Sequence, residues 1–441
     1  MAVEREKATG GPRPPATSEA LYEKLPPGPG RRASEVAAHQ RARIHNAMVE
    51  LVGERGYAAV KIRDVVSLAG VSTRSFYENF EGKEDCFLRT HDLIVRGAVR
   101  RIGAAQADEL DWRQRPGRVF NAFAREIEIG PHAARLALVD AYDAGVESLE
   151  QAWRAESAFE AMIGEGLAHG PDGFVVPPLI VEGIVAGAAR LARLRLLAGE
   201  AENLNGFGDE LTEWALSLLD QSAGELALLD RRSVSAEADV DVAPSLNGDR
   251  ASILGATAEL AGVNGYDYLT IPRIRARADI SRAAFNAQFA SVEDCFLAAL
   301  ELRVDEARDE ASRAQAEGQT WAGGIYRALV CLCRRFGSDP PLLNLCLDDD
   351  FAAGSRGSVW RRRLITAVVD RIDGKVPVER QLKGLADEAS KSAIWELFQH
   401  DIVRRPRSEG PQIAATLAYI ALAPVIGASA AIAAIRNEQT A

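Results

Sequence analysis

Apolar residues recur at helical spacing along nearly the whole chain, and the alternating pattern of a half-buried strand is almost absent. Ile44, Ala47, Met48, Leu51 and Val52 form one stripe, and Phe87, His91, Ile94, Val95, Ala98 and Ile102 form another. The predicted fold class is all-α. Between them lies IRDVVSLAGVSTRSFYENF, residues 62–80. Ile62 to Ala69 reads as a short amphipathic helix with Val65, Val66 and Ala69 inward. Gly70 ends it, because a residue without Cβ enters the left-handed region cheaply. Val71 fills the turn, Ser72 caps the next helix, and Phe76 and Phe80 anchor that helix inward. Thr73, Arg74, Ser75, Tyr77 and Asn79 are left at or near the outward side. This is a helix-turn-helix pattern, whose second helix reads a major groove.

The pattern occurs twice. A shift of 209 residues lays Gly56–Leu88 on Gly265–Leu297 without a gap, with 12 identities in 33 positions. The run Glu84 to Leu88 recurs as Glu293 to Leu297, and the same offset pairs Trp112 with Trp321 and Pro131 with Pro340. Each copy is therefore domain-sized. Residues 231–249 between them are small and polar, and read as a linker. Fully extended, a linker of that length reaches roughly 60 Å, enough to join the end of one copy to the far end of the other.

Two segments depart from helical amphipathicity. Residues 1–30 are rich in Pro and Gly, have no apolar signal-peptide core, and are expected to be disordered. Residues 412–435 carry no charge, so length alone permits a membrane span, but Ala dominates and Pro424 interrupts. Burial against the helices near 179–198 and 208–229 is the expected alternative, and no membrane association is expected.

Net charge is −11, which excludes a generally basic nucleic-acid coat protein. Residues 31–100 are the exception, with 12 basic and 9 acidic side chains, net +3. Five cysteines on a long chain argue against a disulfide framework and for a reducing cytoplasm. Cys86 and Cys295 are repeat-paired and read as packed thiols. Cys331, Cys333 and Cys346 lack a second nearby pair, and Asp348, Asp349 and Asp350 point in different directions on a helix, so no metal site is expected. No phosphate loop, HExxH or GxSxG element occurs, so neither catalytic residues nor a cofactor is expected and an enzyme is unsupported.

The stretch GYAAVKIRDVVSLAGVSTRSFYENFEGKEDCF resembles the DNA-binding domain of the TetR/AcrR family of transcriptional regulators, over about residues 40–105. The likeness rests on the Gly-Tyr pair, the Ala-Gly-Val-Ser turn, Phe-Tyr-x-x-Phe and Lys-Glu-Asp. Its second occurrence, GYDYLTIPRIRARADISRAAFNAQFASVEDCF, is weaker. The resemblance implies two tandem repeats, each a helix-turn-helix domain followed by a helical ligand and dimerisation domain, forming a pseudo-dimer within one chain. Expected boundaries are 1–30 tail, 31–104 and 105–230 for repeat one, 231–249 linker, and 250–313 and 314–441 for repeat two.

It also implies roles. Ser72, Thr73, Arg74 and Ser75 fall where the family meets bases and phosphates, and Tyr77, Asn79, Lys61 and Lys83 fall beside them. Arg31, Arg32, Arg41 and Arg43 form a candidate basic arm. In repeat two the packing residues Phe285 and Phe289 persist, but Tyr77 becomes Asn286, Lys83 becomes Val292, Arg74 becomes Ala283 and Gly70 becomes Asp279. Arg273, Ser281, Arg282, Asn286 and Gln288 are its candidate DNA contacts. It reads a different half-site, grips backbone only, or has ceased to bind. Trp112, Phe120, Phe123, Trp153 and Phe159 are candidates for a small-molecule effector pocket. The expected function is a ligand-responsive repressor of a double-stranded DNA operator, monomeric as an intrachain pseudo-dimer. The alternative is an interaction or scaffold protein that retains the fold without binding DNA.

Overall fold

Every regular element among the described residues is helical. The computed structural model describes residues 33–105, 111–168 except 143, 170, 176–201, 204–219, 225, 248–338, 384–404 and 413–440. The expected tail, Arg31, Arg32, Cys346, Asp348 to Asp350 and most of the expected linker lie outside them. Two compact units result. The described residues up to Ala98 join Ile129–Ala152 in the first, and Val99–Glu128 joins the described residues from Trp153 onward in the second.

The first unit begins with α1 (Ala33–Arg55), a 3-10 turn (Tyr57–Ala59), α2 (Ile62–Ala69), α3 (Thr73–Tyr77) and the start of α4 (Lys83–Ala104). Gly70 ends α2 at φ 60°, and the Ser72 hydroxyl oxygen accepts the Ser75 N–H at 3.0 Å, so both local expectations hold. Val65, Phe76, Phe80 and Phe87 close over Ile44, Met48 and Val52 of α1 in one core. That core extends to Leu136 of α6 (Pro131–Leu138) and to Ala141 in the turn Asp140–Tyr142. Helix α1 approaches α6 so closely that a Cβ on Gly53 would stand 2.4 Å from Cγ of His132.

Helices α5 (Arg115–Ile129) and α7 (Val146–Leu167) bracket α6 in sequence. In the second unit, α8 (Pro178–Leu197) and α9 (Phe207–Leu218) are followed by the second helix-turn-helix: α10 (Asp249–Asn264), α11 (Ile271–Ala278) and α12 (Arg282–Gln288). Then come α13 (Val292–Ala316), α14 (Trp321–Ser338), α15 (Leu385–Arg404), α16 (Ala414–Ile426) and α17 (Ala428–Thr440).

The most extensive helix pairing outside the heads is α8 on α15, with α9 and α16 packed against the same pair. Small residues permit it. A Cβ on Gly187 would lie 2.9 Å from Cβ of Ala393, and one on Gly183 would lie 2.9 Å from Cδ1 of Leu397. Residues 414–423 of α16 are buried throughout, and the Tyr419 hydroxyl donates to the Leu218 carbonyl at 3.1 Å. The expected burial thus holds for 414–423, but the charge-free segment is two helices, and the second is buried on one side only, with Ser429, Ala430 and Ala433 exposed. Gly427, at φ 83°, separates the two helices. Among the described residues no helix is long and apolar enough to cross a membrane.

Candidate nucleic-acid interface

The first head presents its recognition helix by capping and by two phenylalanine anchors. Ser72, Thr73 and Arg74 are exposed, and Tyr77 is 55% exposed even though Phe76 beside it is fully buried. Arg74 Nε lies 2.9 Å from Glu78 Oε1, an exposed i,i+4 pair of small energetic weight that yields readily to another acceptor. Lys61 is exposed at the start of α2, where the Asp64 carboxylate accepts its backbone N–H at 3.3 Å.

Three expected contact residues are committed differently. Ser75 is buried, at 7% exposure, and its hydroxyl donates to Gln40 Oε1 at 2.8 Å, so it is not part of the outward surface. The expectation failed because a five-residue helix turns 100° per residue, and position 75 falls toward α1. Asn79 donates from Nδ2 to the Ser75 carbonyl at 2.7 Å and closes α3 from below. Lys83 is partly covered: its Nζ donates to the Tyr57 carbonyl at 3.1 Å and sits 4.0 Å from the centroid of the Tyr57 ring. Burial holds the Lys83 ammonium below the ordinary lysine range. An ammonium has three donors, so this geometry aims Lys83 while leaving N–H groups for a phosphate. Of the basic arm, Arg41 reaches Asn79 at 3.5 Å, but Arg43 is 6% exposed and faces inward.

Polar groups also enter this head's core. His45 Nδ1 lies 2.7 Å from Thr90 Oγ1, and that hydroxyl donates to the Cys86 carbonyl at 2.6 Å. His45 is depressed by burial, with Arg41 and Arg89 adding to the effect. His91 is 1% exposed, and burial pushes its imidazole down to about 4, against the opposing pull of the Ala137 backbone. The Cys86 thiol is pushed up to about 12 by burial, which agrees with a packed, unreactive cysteine.

The second head repeats the caps. The Ser281 oxygen accepts the Ala284 N–H at 3.0 Å, and Phe285 is fully buried. Ser281, Arg282, Asn286 and Gln288 are exposed along α12. Arg273 is folded back: Nη1 donates to the Tyr268 carbonyl at 2.8 Å and the guanidinium lies 3.9 Å from that ring's centroid. Arg275 donates to the Ile280 carbonyl at 3.4 Å, and Arg277 pairs with Glu259. Most of the arginine cluster legible in the sequence therefore braces the head. Arg282 is the basic side chain its recognition helix presents.

The candidate pocket residues divide. Trp112 and Phe120 are buried, with the Arg113 guanidinium 4.5 Å over the Trp112 ring. Phe123 and Phe159 meet edge to face at 6.4 Å. Trp153 stands instead against His400, 5.8 Å away. His400 belongs to a buried charged group that the sequence reading missed. Its Nδ1 is 3.2 Å from Glu182, and Glu396 on the next turn accepts from Arg190 at 2.9 Å and from Arg193 at 3.5 Å. Burial works against ionising Glu396, yet Arg193 and Arg190 overcome it and hold the carboxyl below its ordinary range. The available signal was charge at three- and four-residue spacing, Arg190 with Arg193 and Glu396 with His400, next to the small and apolar residues of the same helices.

The model for bacterial regulatory proteins of the tetR family matches twice, at residues 44–90 and 253–299. A curated relative, the HTH-type transcriptional activator FasR of Mycolicibacterium smegmatis, is 29% identical over 127 residues. The match covers 29% of this chain and 58% of FasR. Among solved structures, the transcriptional regulator FadR of Bacillus subtilis in complex with stearoyl-CoA aligns with 40% of this chain and 97% of its own, at 14% identity and a TM-score of 0.36.

Proposed function

We propose, on the premise that this chain is a two-repeat member of the TetR family, that it is a sequence-specific DNA-binding transcriptional regulator. The observation that carries the reading is the first head: a capped recognition helix with Thr73, Arg74 and Tyr77 outward, flanked by Lys61 and an aimed Lys83. Arg and Tyr at such positions supply base-edge and phosphate contacts, and the lysines supply the salt-dependent part of affinity. The second head, through Ser281, Arg282, Asn286 and Gln288, takes a different half-site.

The two repeats pair within one chain, each in the domain bounds expected from the sequence. The pairing of α8 with α15 supports this, because the two helices occupy equivalent places in the repeats but carry complementary groups. Repeat one brings Gly187, Arg190 and Arg193, and repeat two brings Ala393, Glu396 and His400. Two copies of α8 would oppose arginines, and two of α15 would oppose carboxylates. A small apolar or amphipathic effector bound near Phe123 and Phe159 would change DNA affinity through α4 and α7, which run on from the first head. Repression is the expected sign of regulation. FasR is named an activator, so transcription from the selected operator decides the sign.

Selection of bound fragments from random DNA tests the reading. The expected product is a non-palindromic site with one strongly specified half, its half-site centres about 34–36 Å apart. Absence of any enriched sequence, with no mobility shift on genomic fragments, would favour a scaffold that retains the fold. Light scattering of a stable dimer at low concentration would overturn intrachain pairing.

A further inference from the structure

Lys83 is aimed by Tyr57, and Tyr57 is itself held from the far side of the head. Asp140, 5% exposed in the short turn after α6, accepts the Tyr57 N–H on Oδ1 at 2.7 Å. Its other carboxylate oxygen lies 3.5 Å from Arg135 Nε. The adjoining Ala141 carbonyl accepts the Ser148 hydroxyl at 2.7 Å, tying this turn to the first residues of α7. The Tyr57 ring packs on Phe87 at 4.7 Å, and the hydrogen bond to Asp140 holds its backbone just after Gly56, which sits at φ 77°. The Tyr57 carbonyl and ring then receive the Lys83 ammonium.

We propose that Asp140 is a positioning residue for the first head's phosphate contact, acting through Tyr57 on Lys83, so that the α6–α7 junction sets the head's affinity for DNA. The relay rests on the DNA-binding reading for its function, though its geometry does not. When the junction moves Asp140 away, Tyr57 loses its backbone anchor, and the carbonyl that receives Lys83 is held less firmly. The affinity lost is then common to all sequences, because a phosphate carries no base identity. The repeat offset of 209 places Asp140 on Asp349, together with Leu136 on Leu345 and Leu138 on Leu347. Repeat two therefore keeps the aspartate in its sequence, while Val292 stands where Lys83 would be.

The experiment uses the full chain with Asp140→Ala and Asp140→Asn, each alone and combined with Lys83→Ala. Two readouts are taken. One is the salt dependence of DNA affinity on the selected operator and on random DNA. The other, without DNA, is reductive methylation of Lys83 relative to exposed Lys61, read by mass spectrometry. Asp140→Ala should raise Lys83 labelling relative to Lys61. It should weaken binding to all sequences alike by about eightfold at 0.1 M salt and flatten the salt slope by about one. In the Lys83→Ala background the same change should have no further effect. Asp140→Asn keeps an acceptor for Tyr57 and should fall between wild type and Asp140→Ala in both readouts; it carries the test if Asp140→Ala does not fold. Unchanged Lys83 labelling, or an equal loss of affinity with and without Lys83, overturns the relay. Altered labelling in a protein that binds no DNA leaves the relay standing and overturns the proposed function instead.

Discussion

The two heads share a skeleton and differ in what fills it. Phe76 and Phe80 in the first have Phe285 and Phe289 as counterparts in the second, all buried. Around them the first head buries Thr90 and His91 and half-buries His45, where the second has Leu254, Ala299 and Leu300; in turn the second buries Thr257 where the first has Met48. Tyr77 and Lys83 in the first correspond to Asn286 and Val292 in the second. The second head thus lacks a buried histidine, and its one polar substitution in return, Thr257, is satisfied by the Ile253 carbonyl. The first keeps the imidazole of His91 in its interior. Shared apolar positions preserve the fold, and the divergent polar ones separate what each head does with it.

The shared skeleton sets the largest expected effect. Phe76→Ala and Phe285→Ala should each destabilise by about 3–5 kcal/mol in chemical denaturation, since each removes a fully buried ring from its core. Similar values at both positions would support the common skeleton. A near-silent Phe285→Ala would show that the second core is loosely packed.

The interior difference gives the next effect. Unfolded, the His91 imidazole titrates near its ordinary 6.5, and in the folded head near about 4. Between those values the unfolded chain binds more protons, so stability rises with pH there. The contribution is complete above about 6.5 and lost as pH falls toward 4, amounting to about 3 kcal/mol for so deeply buried a group. His91→Leu should remove most of this acid sensitivity from the first head. Leu300→His should create it in the second. Denaturant melts at pH 7 and pH 4.5 read both, and a pH response unchanged by His91→Leu would rule out His91 as its source.

Much of this was legible in the chain. Gly70, Ser72, Phe76 and Phe80 name their own places, because a left-handed cap, an N-cap and two anchors four apart have distinctive residue requirements. The all-helical fold and the buried α16 followed from spacing and from the lack of charge. What stayed hidden depends on partners distant in sequence. Ser75 turned inward because Gln40 accepts its hydroxyl, and Arg43 because α1 rotates it toward the core. Arg273 is fastened to the Tyr268 carbonyl while staying exposed. Asp140 meets Tyr57 across 83 positions, and only the recurrence of aspartate at 349 hinted at it.

The contact surfaces differ enough to be separated by single substitutions. Arg74→Ala should weaken operator binding by about 1–3 kcal/mol and relax preference at one base position, if its guanidinium leaves Glu78 for a guanine edge. Arg282→Ala should affect only the other half-site. Titration against operators mutated in either half distinguishes these outcomes. A uniform loss from Arg282→Ala would show that the second head holds phosphate without reading sequence.

The smallest expected effect lies at the turn. Gly70 and Asp279 both close their helix in the left-handed region, at φ 60° and φ 53°. Asp is the only non-glycine residue with positive φ among the described residues. A Cβ in that conformation is disfavoured, although aspartate tolerates it better than most residues. Asp279→Gly removes that strain but gives the unfolded chain more freedom, so the net gain should be no more than about 0.5–1 kcal/mol. Gly70→Ala should lose about 1–2 kcal/mol, because it introduces the strain without a side chain able to hydrogen-bond locally. Asp279 is also an exposed negative charge beside the start of α12, where the first head has none. If the second head lies against phosphate, Asp279→Gly should tighten DNA binding, and most at low salt, where the charge is least screened. The melting temperature and the salt-dependent affinity of this one variant therefore test both halves of the comparison. A gain in stability without any gain in binding would leave the first head as the sole contact.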